Sequence, residues 1–406
     1  MARFLLAWEL GGGLGHLVPL ARLAEALLQR GHVVDLVLKD LSLSHGVLGP
    51  WADSASLRLW QASCWLPVAD GLAEPASHAD LLLRAGFVEG ASLSGLVRAW
   101  RQLYATCRPE VLIADHAPTA LLAARDQGMR RSLFGNGFFV PPPGRPMPAF
   151  RDWEEVPRPR IEAAEARVVA ACNDALARCG DATPIDRLSM LFDVDEVFLL
   201  GWPELDHLAP WRGGSPPRSW GPVLLPGGDV SDWPWIETDG PRVVAYLQAA
   251  HPAIDAVLQT LRGGPWQAVL YLAGVSPERA SSLGSARLQI ATRPIDLRAA
   301  LARADLMLVG GTGTAYQALA QGVPTVLLPM HGEQLLFARR VVAAGAGVML
   351  WPGEVAAGLG RALQAVGTGG GFRRAAQALA ARHPGEALPA IVARCEALAG
   401  LSGSAR

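Results

Sequence analysis

Residues 11–32 read GGGLGHLVPLARLAEALLQRGH. Three glycines, a fourth two positions later and a histidine lead at once into a helical pattern. Leu20, Leu23, Ala24, Leu27 and Leu28 recur at the spacing of one helix face. Upstream, RFLLAW (3–8) is a short apolar run that ends at the glycines, and downstream HVVDLVL (32–38) is another. Strand, loop, helix, strand is a βαβ unit, which implies a parallel sheet. The loop nearly matches a dinucleotide fingerprint, with Gly11-x-Gly13 in place. His16 occupies the position of the third glycine, the one that lets helix and strand pack closely. The dinucleotide reading therefore fails at its most informative position, although Asp35 or Asp40 could serve as its ribose acid. A second reading is positive. His16 stands at the C-terminal end of a strand and the N-terminus of a helix, where α/β folds place ligands. Imidazole titrates near neutrality and can take a proton from a hydroxyl. A histidine that merely closes the turn is the plainer alternative.

The chain has 406 residues, more than one core normally serves, so two domains of roughly 200 residues are expected. Half of the residues are apolar and 18% are charged, a globular composition. The formal charge of -1 lacks the basic surplus of a nucleic-acid binder, and no nucleic-acid motif is present. Lys39 is the only lysine among the basic residues, a bias that a GC-rich coding sequence imposes. Five scattered cysteines, Cys64, Cys107, Cys172, Cys179 and Cys395, have no metal-ligand spacing. They read as free thiols in a reducing compartment, which predicts a cytoplasmic protein. MARFLLAWEL is too short an apolar core for a signal peptide, and no run of about 18 uncharged apolar residues predicts a membrane span. Peripheral contact with a membrane surface stays open, and the pattern assigns no oligomeric state.

Further strands are predicted at EVLIADH (110–116) and RSLFGNGF (131–138), with helices over 95–106 and 160–178. From 202 to 241 the composition shifts to Gly, Pro and Trp without periodicity, which reads as a linker with an access loop. The α/β rhythm then restarts. Strands are predicted at 242–247, 268–273, 288–292, 306–310, 325–329 and 347–350. Helices fall near 253–261, 296–303, 314–321 and 333–344. The expected division is a first domain over 1–215, a linker over 216–241 and a second domain over 242–406. A last helix near 387–400 could return to the first domain. The fold class is α/β, with two doubly wound, Rossmann-like parallel-sheet domains facing across a cleft.

Three groups carry chemistry, and two further stretches are weighed beside them. Asp115, at the end of LIAD, can orient His16 and stabilise its imidazolium; His116 is adjacent, and a helix-capping role for Asp115 is the alternative. Gly310-Gly311-Thr312-Gly313-Thr314 joins a strand to a helix, so its N–H groups and helix terminus suit a phosphate, with two hydroxyl donors added. It is not a P-loop, because no Gly-Lys-Ser/Thr follows. Glu333 and Gln334 pair a carboxylate with an amide, a set suited to vicinal sugar hydroxyls, unless Glu333 only begins a helix. Asp193-Val194-Asp195 resembles a metal-binding DxD but precedes a strand away from both glycine loops, and reads as a solvated turn. The proline-rich NGFFVPPPGRPMP (136–148), Trp65 and Trp100 either shape an acceptor pocket or pack the core.

Taken together, these pieces resemble inverting GT-B-fold glycosyltransferases of family 1, the class of antibiotic and macrolide sugar transferases. The resemblance rests on 11–32, RPIDLRAAL (293–301), GGTGTAYQALAQGVPTVLLP (310–329) and EQLLFARRVVAAGAG (333–347), in the expected order across both halves. It implies His16 as catalytic base and Asp115 as its partner. It implies a donor set of Arg293 and Ile295 at the nucleobase, 310–314 at the diphosphate, and Glu333 and Gln334 at the sugar. Gln317 stands at the ribose position, and Gly12 and Gly13 are counted with the donor set. It implies a nucleoside-diphosphate sugar as co-substrate, UDP first and dTDP second. It also implies no metal and no separate cofactor, while the apolar composition of the first domain suits a small hydrophobic or lipid-like acceptor. Three positions depart from the pattern. Val309 replaces a phosphate-facing histidine, Gln317 replaces a ribose-binding glutamate, and Gln248-Ala249 replaces a Gly-Ser. These departures keep a second expectation alive, a catalytically silent nucleotide-sugar-binding partner of the same fold. A nucleotide-sugar epimerase would need further acids and histidines, for which only Glu333 and His331 offer themselves.

Overall fold

The computed structural model describes residues 1–67, 71–72, 74–181, 183–214, 216–225, 235 and 240–400. Of the expected linker 216–241, residues 226–234 and 236–239 lie outside the described residues. The chain divides into two compact units, Met1–Gly201 with Leu208–Gly221 and the C-terminal helix, and Trp202–His207 with Pro222–Glu386.

In the first unit six strands form one sheet: β1 (Arg3–Trp8), β2 (Val33–Leu38), β3 (Leu57–Gln61), β4 (Val111–Asp115), β5 (Arg130–Gly135) and β6 (Glu196–Leu199). Their order is β3-β2-β1-β4-β5-β6, and every pairing is parallel. Helices cover both faces, so residues 4–8 of β1 are all buried, the continuous apolar run of an inner parallel strand. The helix Leu14–Gln29 buries the predicted stripe, Leu20, Leu23, Ala24, Leu27 and Leu28, together with His16 and Leu17. β3 escapes sequence reading because it is a short edge strand carrying Arg58 and Gln61. Its Arg58 closes on the buried Asp35 carboxylate with two bonds of 2.7 Å, and Trp60 Nε1 adds a third at 2.8 Å. Asp40 accepts from the N–H and hydroxyl of Ser42. Both acids that a dinucleotide site would have used thus have local partners.

The second unit repeats the plan. Its strands are β7 (Arg242–Gln248), β8 (Gln267–Ala273), β9 (Leu288–Ala291), β10 (Leu306–Val309), β11 (Thr325–Leu327) and β12 (Gly347–Met349). The order β12-β11-β10-β7-β8-β9 is the same topology as the first sheet, with the first strand of each unit beside its fourth. No sequence repeat betrays this. In each unit the strand order reverses between those two strands, and the crevice at their carboxyl ends is where doubly wound folds bind ligands.

The Trp-rich segment after β6 is not shapeless. Trp202 and Leu205 are buried in the second unit's core, and the Trp202 N–H donates to Tyr316 Oη at 3.2 Å. Leu208–Gly221 belongs to the first unit, where the buried Arg212 donates to the carbonyls of Val140 and Gly137. The helix Leu388–Leu398 also belongs to the first unit. Glu396 there accepts from Arg30 at 2.7 and 2.8 Å and pairs with His32 at 2.9 Å. Among the described residues no helix is long and apolar enough to cross a membrane.

Candidate active site

The first unit's switch point gathers the groups predicted for proton transfer. Trp8, the last residue of β1, is paired in register with Asp115, the last of β4. Beyond Asp115 the chain turns through a left-handed His116 at φ 46°, whose carbonyl accepts from the Leu10 N–H at 3.0 Å. The two strand ends are thereby locked side by side. His16 Nδ1 lies 3.0 Å from Asp115 Oδ1, and both side chains are buried. A carboxylate only accepts, so the shared proton sits on Nδ1 and the Nε2 lone pair is left for chemistry. Burial pushes the Asp115 carboxyl above its ordinary range, while His16 opposes that rise. The imidazole is held between Trp8, ring centroids 5.5 Å apart and nearly parallel, and Phe139 at 4.5 Å.

The glycine loop explains itself at Gly11. Its φ is +84°, and a Cβ there would lie 2.5 Å from His16 Nε2. Only glycine satisfies both the backbone and the imidazole. Lys39 Nζ holds this loop by donating to the Gly11 carbonyl at 2.5 Å. Gly12 and Gly13 have no neighbour within 4 Å of an added Cβ; Gly13, at φ +75°, is the residue before the helix.

One acid at this site carries no sequence signal beyond standing in an apolar run. Glu9 is buried and accepts from the Thr119 hydroxyl, the Thr119 N–H at 2.9 Å and the Ala120 N–H at 3.3 Å. It ties the end of β1 to the start of the helix Pro118–Ala123 that follows Asp115 and His116. Burial pushes its carboxyl up to about 7, against the lowering effect of those hydrogen bonds.

Phe139 packs on both His16 and His116, with ring centroids 4.5 Å away in each case. Phe138 and Phe139 come from the predicted proline-rich loop, and Trp65 lies against Gly86, where a Cβ would meet its ring at 2.6 Å. His78 reaches the Phe138 carbonyl at 3.0 Å, and burial pulls it down to about 4, so it is neutral at physiological pH. Trp100 is fully buried in the core cluster, the packing role that the sequence left open.

In the second unit β10 ends at Val309, and the Gly310-Gly311 turn opens the helix Thr312–Ala320. The Ala315 N–H donates to the Gly311 carbonyl at 3.0 Å, so the N–H groups of 312–314 precede the first bond of the helix. Backbone N–H groups in that position, with the helix dipole behind them, are of the kind that suits an anion. Val309 is fully buried and apolar.

Glu333, at the start of the helix Gly332–Ala343, is engaged from two sides through one oxygen. Its Oε1 lies 2.8 Å from Thr312 Oγ1 and 2.9 Å from His207 Nε2, and His331 stands 4.0 Å from Oε2. Burial would raise this carboxyl. The His207 hydrogen bond and charge, then His331 and Thr312, pull it down to about 2. Thr312 therefore directs its hydroxyl to Glu333, whereas the sequence had suggested a phosphate. His207 went unrecognised, since it lies in the segment read as linker.

The remaining donor candidates sort by backbone or side chain. Gln334 Oε1 accepts from the Met330 N–H at 2.9 Å. Gln317 is buried, and among the described residues its Nε2 has no hydrogen-bond partner. Arg293 is exposed, the Ile295 side chain is in the core, and Asp296 caps the helix Leu297–Leu301 through the Ala299 N–H. Ile295 can thus offer a ligand its backbone but not its side chain. Asp195 of the DxD is bound to Arg130 at 2.7 Å and to the Arg131 N–H at 2.8 Å, and Asp193 lies 3.7 Å from Arg187. Among the described residues no group of three or more His, Cys, Asp or Glu side chains could hold a metal ion.

Comparison with known proteins bears on the fold. Residues 293–398 match the family described as Erythromycin biosynthesis protein CIII-like, C-terminal domain. Demethyllactenocin mycarosyltransferase of Streptomyces fradiae is 35% identical over 131 residues, 31% of this chain and 28% of the relative. The match thus spans under a third of that relative's length. CalG4, the calicheamicin glycosyltransferase, superposes with a TM-score of 0.72 at 20% identity, covering 98% of both chains. The spinosyn rhamnosyltransferase SpnG, solved with thymidine diphosphate, gives 0.65 at 19% identity, covering 98% of this chain and all of that one. SpnG has also been solved with spinosyn aglycone. The two six-stranded parallel sheets are those of the GT-B fold, and residues 293–398 are similar to the C-terminal domain of the Erythromycin biosynthesis protein CIII-like family.

Proposed function

We propose that the chain transfers a sugar, with inversion at the anomeric carbon, from a nucleoside-diphosphate sugar to a hydroxyl of a small hydrophobic acceptor. The observation that carries this reading is the buried 3.0 Å contact of His16 and Asp115 at the first switch point. His16 Nε2 takes the acceptor's hydroxyl proton as that oxygen attacks the anomeric carbon. Asp115, bound to Nδ1, fixes the tautomer and offsets the charge of the imidazolium. The bond from the anomeric carbon to the diphosphate oxygen breaks as the new one forms. The departing oxygen keeps the electron pair, and its charge is met by the N–H groups of 312–314. General-base help of this kind contributes roughly 10²–10⁴-fold. Aromatic groups around His16 suit a hydrophobic acceptor.

In this reading Glu333 and Gln334 take the donor sugar, and no metal or separate cofactor takes part. The nucleotide is UDP or dTDP, and SpnG bound to thymidine diphosphate supports trying dTDP alongside UDP. The reaction belongs in the cytoplasm, where nucleotide sugars are made. A silent nucleotide-sugar-binding partner is the second reading, favoured by the apolar Val309 and by a Gln317 Nε2 that has no hydrogen-bond partner among the described residues. The two separate on one experiment: release of nucleoside diphosphate from UDP-glucose and dTDP-glucose, with and without a panel of aromatic alcohols. The transferase reading predicts release by the wild type and near loss in His16→Ala. Binding without release in either protein supports the silent partner.

A further inference from the structure

We propose that His207 is a positioning residue of the donor site, which acts through Glu333 on the sugar of the donor rather than on its diphosphate. This rests on the donor-site reading above and deepens it.

Three segments meet at one carboxylate oxygen. Thr312 begins the helix that seats an anion, Glu333 is the second residue of the helix Gly332–Ala343, and His207 ends Trp202–His207. Nε2 of His207 and Oγ1 of Thr312 lie 2.9 and 2.8 Å from the same Oε1, and both must donate to it. The His207 segment is itself fixed. Leu205 is in the core, the Trp202 N–H is on Tyr316, and the imidazole packs against Phe337 at 5.6 Å. His207 is 1% exposed, so its N–H serves protein and not solvent.

The physical consequence is selective. A buried carboxylate stays ionised and in one rotamer only while donors hold it. Without the His207 N–H, Oε1 of Glu333 keeps the Thr312 hydroxyl but loses the donor that comes from the 202–207 segment. The carboxylate that would grip sugar hydroxyls is then held less firmly in that rotamer. The backbone N–H groups of 312–314 are unaffected, because they depend on the helix and not on Glu333. Loss of His207 should therefore weaken the donor sugar's contribution to binding and spare the nucleoside diphosphate.

The test compares dissociation constants of UDP, UDP-glucose, dTDP and dTDP-glucose on the full chain. The proteins are wild type, His207→Phe, which keeps a ring against Phe337, His207→Gln, which keeps a donor, and Glu333→Gln. The expected result is a change of about tenfold in the ratio of sugar nucleotide to diphosphate affinity for His207→Phe, with His207→Gln recovering most of it. The double variant His207→Phe/Glu333→Gln should be no worse than the worse single one, because the two residues act as a unit. Equal loss for both ligand types, additive losses, or an unchanged ratio overturns the proposal. Should His207→Phe not fold, Glu333→Gln alone must shift the ratio and move the His207 imidazole nitrogen resonances; unmoved resonances overturn it. Absence of diphosphate binding by the wild type instead overturns the donor-site reading and this proposal with it.

Discussion

Gly11 and His16 fit together as a pair: a Cβ on residue 11 would lie 2.5 Å from His16 Nε2, at a backbone φ of +84°. The glycine that resembles a phosphate-loop residue makes room for an imidazole. Gly11→Ala is expected to displace His16 and to cost roughly 1–3 kcal/mol of stability from the left-handed backbone alone. Nucleotide release should fall at least tenfold, by the misplacement argument. Nucleoside diphosphate affinity, read by titration, should stay as in the wild type.

Asp115→Asn tests the orienting role separately from the base. Asparagine can donate to Nδ1 as well as accept, which allows the wrong imidazole tautomer. Transfer should drop roughly 10²–10⁴-fold, as should that of His16→Ala. A double variant no slower than either single one would show that they act as one unit. The readout is initial rate at saturating donor.

Glu9 predicts a pH dependence of stability. Its carboxyl stands at about 7 in the folded chain against an ordinary value of 4.5, raised by burial. A raised carboxyl favours the protonated native state. Its contribution is therefore complete below 4.5 and is lost as pH rises through about 7. Glu9→Gln, which stays neutral, should gain on the wild type as pH rises across that window, by an amount on the order of 3 kcal/mol at pH 8. Chemical denaturation at pH 4, 6 and 8 reads the difference. Variant-minus-wild-type stability that stays level or falls with rising pH would contradict the assignment.

Glu333 predicts the opposite sign. Its carboxyl is lowered to about 2, burial being outweighed by His207, His331 and Thr312. Its contribution is present above 4.5 and lost as pH falls toward 2. Glu333→Gln should be less stable than the wild type at pH 6, and the gap should shrink on acidification. The same denaturation series at pH 3, 4.5 and 6 checks it.

The first βαβ unit was legible because each of its signals is local. β1 is a five-residue buried run, the helix stripe recurs at helical spacing, and the glycines end one and begin the other. Asp115 was legible as a polar residue closing an apolar strand. The loop 310–314 was legible as glycines before a helix. What stayed hidden depends on tertiary contact. Glu9 gains its partners 110 residues away, and His207 meets Glu333 126 residues away. Neither has a spacing that marks it. β3 is defined by its edge position beside β2. The Trp202–His207 segment lacks periodicity because single anchors, Trp202 and Leu205, hold it to the second unit. Thr312 was found for its position, but its hydroxyl partner needed the fold.

The central claim is that the second unit seats a nucleoside diphosphate at 310–314. The most direct measurement is calorimetric titration with UDP, dTDP and GDP on the wild type and on Gly311→Trp. Among the described residues no neighbour lies within 4 Å of a Cβ at residue 311, so a side chain can begin there without a clash, and an indole is large enough to compete for the space beside the 312–314 N–H groups. The account predicts saturable binding of one diphosphate by the wild type and its abolition in the variant. No binding of any of the three, or binding that the tryptophan leaves untouched, would contradict it.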